Sequence, residues 1–267
     1  MRTLQELSSL EGRVAVITGG AGFIGRAMAA ALCQAQCQVC LVDRPGASAA
    51  AAFDQLGAAF PGQIWSVAAD LETEVARLEL AASIASHYGR LDILINNAGF
   101  VGDSALQGWA VPFAEQSLAT WRRAVEVNLS APFHLTQLLE PLLSQSGKGS
   151  VINVGSIYGM VGPDMRLYEG TAMGNPAAYA ASKGGLLQLT RWLSTSMAPR
   201  VRVNSITPGG LARGQSPSFV EKYVARTPLG RMGSEEDFVG ATHFLASDLS
   251  AWVTGQNIVV DGGWTAW

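Results

Sequence analysis

Short apolar runs alternate with amphipathic stretches along this chain, and the first run, Val14-Ala15-Val16-Ile17, leads into Thr18-Gly19-Gly20-Ala21-Gly22. An unbroken apolar run ended by glycines predicts a strand and a tight turn. A helix from about Gly22 to Ala35 and a second strand at Gln38 to Val42 then complete a β-α-β unit. The strand pattern recurs at Ile64 to Ala68, Leu91 to Ile95, Ser150 to Val154, Val201 to Ile206 and Ile258 to Val260. Helix-length segments such as Gln116 to Ser144 and Ala178 to Met197 separate these strands. Continuous apolarity, in place of strict alternation, predicts strands covered on both faces. With right-handed crossovers the expected fold is α/β, a doubly wound Rossmann fold with a seven-stranded parallel sheet and helices on both faces. Residues 1–267 are expected to form a single dinucleotide-binding domain, because the chain has no internal repeat, charge run or Pro/Ser-rich linker. Two irregular segments, near 100–117 and 160–176, break the alternation and predict substrate loops.

Composition narrows the partners. A formal net charge of −3, with 15% charged residues, leaves no basic excess to neutralise a phosphate backbone, so nucleic acid is not expected. No uncharged apolar run approaches the ~18–20 residues of a spanning helix. Arg2, Glu6 and Glu11 interrupt what would be a signal-peptide core, so a cytoplasmic protein is expected. Cys37 and Cys40 read as C-x-x-C, yet zinc needs further ligands at fixed spacing, and His87, His134 and His243 are scattered. No metal site is expected. Cys33 and Cys37 read as ending a helix and Cys40 as lying inside a strand, where cysteines behave as small buried hydrophobes.

Gly19, Gly22 and Gly25 sit three apart at the strand-to-helix turn. Glycine there permits positive φ and close approach of backbone to a pyrophosphate, while the helix starting at Phe23 and Ile24 points free N–H groups and a positive dipole end at the phosphates. Three glycines alone would serve any tight turn; the strand before, the helix after and Asp43 closing the next strand point to a dinucleotide. Asp43 lies close to the ~20 residues past the last glycine expected of the acid that accepts from the adenosine ribose hydroxyls. A carboxylate there repels a 2′-phosphate, so NAD is favoured over NADP. Arg44 complicates that reading, since its guanidinium suits pairing with such a phosphate or covering the adenine face. Asp70, followed by Leu71 after the third strand, is placed to meet the adenine edge or to cap the next helix. Asn97, Ala98 and Gly99, after the fourth strand, bring a turn near the cofactor.

Tyr179 and Lys183 stand at i and i+4, which on a helix brings both side chains to one face. An ammonium near a phenol favours the phenolate, so Tyr179 becomes able to exchange a proton with a substrate oxygen while a hydride moves to or from a nicotinamide, and Lys183 is placed to hold the nicotinamide ribose. Taken alone, such a pair equally fits a solvated helix face. Ser156 follows a strand at the carboxyl edge of the sheet, placed to donate to the substrate oxygen. Asn128 interrupts an apolar helical stretch, where an amide holds a water leading from Lys183 to solvent or marks a kink.

These motifs together resemble the short-chain dehydrogenase/reductase family in its compact single-domain branch. The resemblance runs through Thr18 to Gly25, Asp70, Asn96 to Gly99, Asn128, Ser156, Tyr179 with Lys183, Arg202-Val203-Asn204 leading to Pro208-Gly209, and the tail Val260-Asp261-Gly262-Gly263. It implies a tetrad of Asn128, Ser156, Tyr179 and Lys183, with Tyr179 as acid/base, cofactor contacts reaching Pro208 and Gly209, and a homotetramer or homodimer assembled partly through the helices carrying Asn128 and Tyr179. Three departures stand out. Phe23 stands where the compact branch usually has glycine. Gly210-Leu211-Ala212-Arg213-Gly214 replaces a threonine-bearing segment, so carboxamide binding falls to main-chain groups near Leu211. The gap from Ser156 to Tyr179 is longer than most members show, which predicts a bulge beside the substrate.

The two irregular segments contribute Trp109, Phe113, Asp164, Arg166, Tyr168 and Glu169 as candidate substrate contacts. Rings mixed with charged groups suit a polyhydroxylated, sugar-like or anionic small molecule, with Arg166 placed to clamp a phosphate or carboxylate. Leu167 to Thr171 ahead of Asn175-Pro176 also looks like family members linked to flagellin and surface-sugar modification. The expected activity is NAD-dependent interconversion of a secondary alcohol and a ketone. The alternative, a non-catalytic dinucleotide-binding regulatory or scaffold protein, has no chemical need for the four tetrad residues together.

Overall fold

In the computed structural model, which describes residues 1–102 and 106–267, the side chains of the first strand, β1 (Val14–Thr18), divide between two cores on opposite faces of one sheet. Val14 and Val16 join one core and Ala15 and Ile17 the other. The neighbouring β2 (Gln38–Asp43) repeats the division, with Cys40 and Val42 in the first core and Val39 and Leu41 in the second. Successive strand side chains point to opposite faces, so a strand buried on both faces has no polar positions to alternate with.

The remaining elements are α1 (Leu4–Ser8), α2 (Phe23–Gln34), α3 (Ala47–Ala59), β3 (Ile64–Ala68), α4 (Glu74–Tyr88), β4 (Ile93–Asn96), α5 (Leu118–Val125), α6 (Ala131–Gln145), β5 (Gly149–Val154), α7 (Ala177–Ser196), β6 (Val201–Pro208), α8 (Pro217–Ala225), α9 (Val239–Ala246) and β7 (Asn257–Val260). The sheet order is β3-β2-β1-β4-β5-β6-β7 with every pair parallel, the doubly wound Rossmann arrangement. The strand order reverses between β1 and β4, and such a reversal opens a crevice beyond the carboxyl ends of the strands. The turn after β1, Asn97 to Gly99 after β4, Ser156 after β5 and Gly209 after β6 all lie at that edge.

Several boundaries differ from the sequence expectation for physical reasons. β4 starts at Ile93, two residues late, because the Asp92 carboxylate accepts the Val14 N–H at 2.9 Å and pairs with Arg90 at 2.8 Å. The long helix expected over Gln116 to Ser144 is three pieces: α5, a π-helical turn at Glu126–Ser130, and α6. Cys37 lies beyond α2, not within its end, because Gln36 adopts φ 68° and stops the helix. The three cysteines are free and buried, and burial pushes the Cys33 and Cys40 thiols up to about 12. Among the described residues no helix is long and apolar enough to cross a membrane.

Candidate active site

The turn after β1 is locked to β4 through Thr18. Its Oγ1 accepts the N–H groups of Asn97 and Ala98, each at 3.0 Å, while Asn97 Nδ2 donates to the carbonyls of Thr18 at 2.9 Å and Gly19 at 3.0 Å. Gly19 has φ +65°, and a β-carbon on Gly25 would lie 2.2 Å from the Gly19 carbonyl oxygen, so the helix start packs onto the turn only with glycine there. No side chain caps α2 at Gly22, which leaves its first-turn N–H groups, those of Phe23, Ile24 and Gly25, open at the positive end of the helix dipole. That open, glycine-lined helix start fits a dinucleotide pyrophosphate.

Asp43, ending β2, accepts the Ala21 N–H at 3.0 Å and the Arg44 N–H at 2.8 Å, which holds its carboxylate at the head of the same turn, with Arg44 exposed beside it. Asp70 is half-buried and accepts the Glu72 N–H at 3.0 Å. The cap of α4 is instead Thr73, which accepts from Ala76 at 3.3 Å, so the capping alternative for Asp70 does not hold. Leu71 is buried behind it, its carbonyl taken by Arg77 at 2.7 Å. On the far side of the crevice Pro208 ends β6, the Gly209 N–H donates to Val260 O at 2.9 Å, and Leu211 forms an isolated bridge with Gly233.

Four elements converge beside Gly99, where an added β-carbon would stand 3.7 Å from Asn128 Oδ1 and 3.8 Å from Lys183 Nζ. Asn128 occupies the π-helical turn and is fully buried. Its Oδ1 accepts the Phe100 N–H at 2.6 Å and its Nδ2 donates to Phe100 O at 3.2 Å and to Ser182 Oγ at 3.0 Å. The extra residue of a π-turn re-aims one side chain without ending the helix, and such turns are frequent at functional sites. Tyr179 and Lys183 share one face of α7, and Lys183 Nζ donates to Val154 O at 2.7 Å. Ser156, buried just past β5, accepts the Tyr158 N–H at 3.3 Å.

The electrostatics differ from the expectation that Lys183 lowers the Tyr179 pKa. Burial raises Tyr179 above its ordinary value, with the Ser156 hydroxyl working against it. Burial likewise lowers Lys183 to about 8. Both groups share one poorly solvated pocket that disfavours either charge, and the Lys183 ammonium is engaged by a backbone carbonyl.

The candidate substrate contacts separate into those near Tyr179 and those away from it. Trp109 is 2% exposed, donates to Val101 O at 2.8 Å and packs edge-on against Phe100, so it pins its loop. Phe113 is 82% exposed. Residues 103–105 of that segment lie outside the described residues. Arg166 grips Asp164 with two hydrogen bonds of 2.8 Å and its side chain is 80% exposed, so its fork is already filled and the expected anion clamp is not formed. Asp164 also pairs with Arg226, and the two guanidiniums hold its carboxyl at about 2. Glu169 is exposed. Tyr168 turns inward: its hydroxyl donates to that of Tyr158 at 2.7 Å.

Sequence reasoning missed Thr18 as the clamp of the turn, Val154 as the Lys183 acceptor and Tyr158 as the partner of Tyr168. The first ends an apolar strand and the third lies two positions past Ser156, which are readable signals. The second acts through its carbonyl and leaves no side-chain trace.

The family model described as enoyl-(acyl carrier protein) reductase matches residues 19–265. The chain belongs to the short-chain dehydrogenase/reductase family and is an NAD(P)-dependent oxidoreductase of that class. It is 32% identical to a 3-oxoacyl-[acyl-carrier-protein] reductase (FabG) of Thermotoga maritima, over 95% of this chain and 98% of the relative. A galactitol 2-dehydrogenase (L-tagatose-forming) of Cereibacter sphaeroides is also 32% identical, with 97% of each chain covered. Among solved structures, a short chain dehydrogenase from Leptospira borgpetersenii with bound NAD+ superposes with a TM-score of 0.85 at 33% identity, covering 99% of this chain and 96% of that one.

Proposed function

We propose that this chain interconverts a secondary alcohol and a ketone on a hydroxyl-rich, sugar-like small molecule, with NAD as the preferred cofactor. The observation that carries the reading is the convergence of Asn128, Ser156, Tyr179 and Lys183 at the carboxyl edge of the sheet. Bound NAD supplies the hydride acceptor and, when oxidised, a positive ring charge that favours a phenolate nearby. Tyr179 then takes the proton from the substrate hydroxyl in oxidation and returns it in reduction. Ser156 donates to the same substrate oxygen as negative charge develops there. Lys183 supplies a second positive charge and a donor for the nicotinamide ribose. Asn128 holds Phe100 and Ser182, the residue before Lys183 on α7, in place, a positioning role.

Asp43 supports NAD, because its oriented carboxylate opposes a 2′-phosphate. The paired hydroxyls of Tyr158 and Tyr168 support a hydroxyl-bearing substrate, and the galactitol relative agrees. The self-paired Arg166 removes the support for an anionic one. Exposed Trp121, Phe133 and Trp192 on α5, α6 and α7 support assembly of a homotetramer through those helices, which light scattering on the purified chain tests. Three buried, unpaired thiols agree with a reducing, cytoplasmic setting.

The deciding experiment follows NAD(H) and NADP(H) absorbance with the purified chain against polyols, sugar phosphates, nucleotide sugars, simple secondary alcohols and a 3-oxoacyl thioester. Turnover of a polyol with NAD is expected. Turnover confined to the thioester rejects the substrate class, and turnover confined to NADP(H) rejects the cofactor reading.

A further inference from the structure

Phe23 and Arg213, at two of the places where this chain departs from the family pattern, meet in the structure. Phe23 opens α2 and is 53% exposed, and the Arg213 guanidinium, from the connection between β6 and α8, lies 4.2 Å from the centroid of its ring. Arg26, one turn further along α2, flanks the same ring at 5.4 Å. The connection itself is fastened: Leu211 bridges Gly233, Gln215 Nε2 donates to Leu211 O at 2.7 Å, and the Arg213 N–H donates to Gln215 Oε1 at 2.7 Å. Arg213 Nη2 pairs with Glu235 at 2.9 Å and its Nη1 donates to Ala212 O at 2.6 Å, so an incoming phosphate exchanges with these two contacts. A charged side chain is thereby carried from the β6 side of the crevice onto the first residue of the helix that follows the glycine turn.

Positive character accumulates at this spot. The uncapped N–H groups of α2 present the positive end of its dipole. Arg26 makes no ion pair among the described residues, and its Nε is buried without a hydrogen-bond partner. Glu235 neutralises Arg213 alone. Like charges gathered at a helix start repel one another unless an anion sits among them, and a group with two charges balances the set better than one carboxylate. A guanidinium presents a planar fork of donors matched to phosphate oxygens, and an aromatic face beneath it limits its motion.

We propose that Arg213 clamps the pyrophosphate of the bound dinucleotide, with Phe23 as the platform that holds the guanidinium across the crevice. The proposal rests on the dinucleotide reading of the site. It makes one feature of two departures: the ring in place of glycine and the arginine in the segment that elsewhere carries threonine.

The test measures equilibrium binding without catalysis, using NADH, ADP-ribose and adenosine with the full chain and with Arg213→Met, at low and high salt. Methionine keeps contact with the Phe23 ring and removes the charge. Binding of NADH and ADP-ribose is expected to weaken by about tenfold at low salt, the scale of one charge-assisted contact, and by less at high salt. Adenosine, which has no phosphate, is expected to bind within about twofold of the parent chain. Phe23→Leu is expected to weaken ADP-ribose by about threefold, the scale of one exposed cation–π contact, and to add little to Arg213→Met, since both act on one contact. Glu235→Gln, which removes the competing carboxylate, is expected to tighten ADP-ribose. Unchanged ADP-ribose binding by Arg213→Met, or an equal loss for adenosine, overturns the clamp while leaving the dinucleotide site standing. A parent chain that binds neither NADH nor NADPH overturns the dinucleotide reading and the clamp with it.

Discussion

Lys183 donates to the Val154 carbonyl oxygen at 2.7 Å, two residues before Ser156, and so ties the helix bearing Tyr179 to the strand that delivers the serine. The bond positions the ammonium but does not offset its loss of water.

A stability prediction follows from that loss. Burial lowers the Lys183 pKa from 10.5 to about 8. Below pH 8 the folded and unfolded chains are both protonated at this group and its cost is constant. Between about 8 and 10.5 the unfolded chain binds the proton and the folded chain releases it, so stability rises with pH through that window. The thermal midpoint of the parent, measured relative to Lys183→Met, is expected to climb from pH 8 to 10. A flat or falling difference would falsify the assignment of a depressed lysine.

Tyr179→Phe removes one hydroxyl and keeps the ring. NADH is expected to bind within about twofold of the parent, while kcat falls by at least roughly 10²-fold, the usual contribution of a positioned acid or base. Because burial raises the Tyr179 pKa, the parent's alcohol oxidation is expected to keep rising above neutral pH and its ketone reduction to fall. Comparable turnover by the variant rejects Tyr179 as the proton carrier.

Much of this geometry is legible in the chain itself. The inner strands β1, β2 and β4 are readable because burial on both faces makes each a largely continuous apolar run, and Ser156, Tyr179 and Lys183 because they sit past a strand end and at helical spacing. The π-turn at Asn128 is not readable, since one extra residue in a helix barely alters an amphipathic pattern. Nor is the fate of Arg166. Whether a guanidinium faces substrate or its own neighbour depends on the local turn, and here Asp164 caps that turn and fills the fork. Contacts made by carbonyls, such as that of Val154, carry no side-chain signal at all.

Asn128→Ala leaves the Phe100 N–H and C=O without their partners inside the fold. An unsatisfied buried group costs about 1–3 kcal/mol. In a chain of this size each such group lowers the thermal midpoint by roughly 2–12 °C. Activity is expected to fall further than stability explains, because Asn128 Oδ1 and Lys183 Nζ border the same spot beside Gly99. Calorimetry and steady-state kinetics below the unfolding range separate the two effects, and a variant with parental midpoint and kcat would contradict the positioning role.

Cofactor choice is the test of Asp43. Its two oxygens accept from Ala21 and Arg44, so the carboxylate is held in one orientation at the end of β2 and does not swing away from an incoming 2′-phosphate. Two like charges about 4 Å apart repel by roughly 1–4 kcal/mol, depending on how far water screens them. Since about 1.4 kcal/mol is a factor of ten in binding, Asp43→Ser is expected to raise the ratio of NADPH to NADH affinity by about fivefold or more. Arg44, exposed on the next residue, then becomes a partner for the phosphate, and adding Arg44→Ala is expected to return part of the change. Dissociation constants from NADH and NADPH fluorescence decide the matter. A parent chain that already prefers NADPH, or a ratio unmoved by Asp43→Ser, means that this carboxylate does not read the ribose.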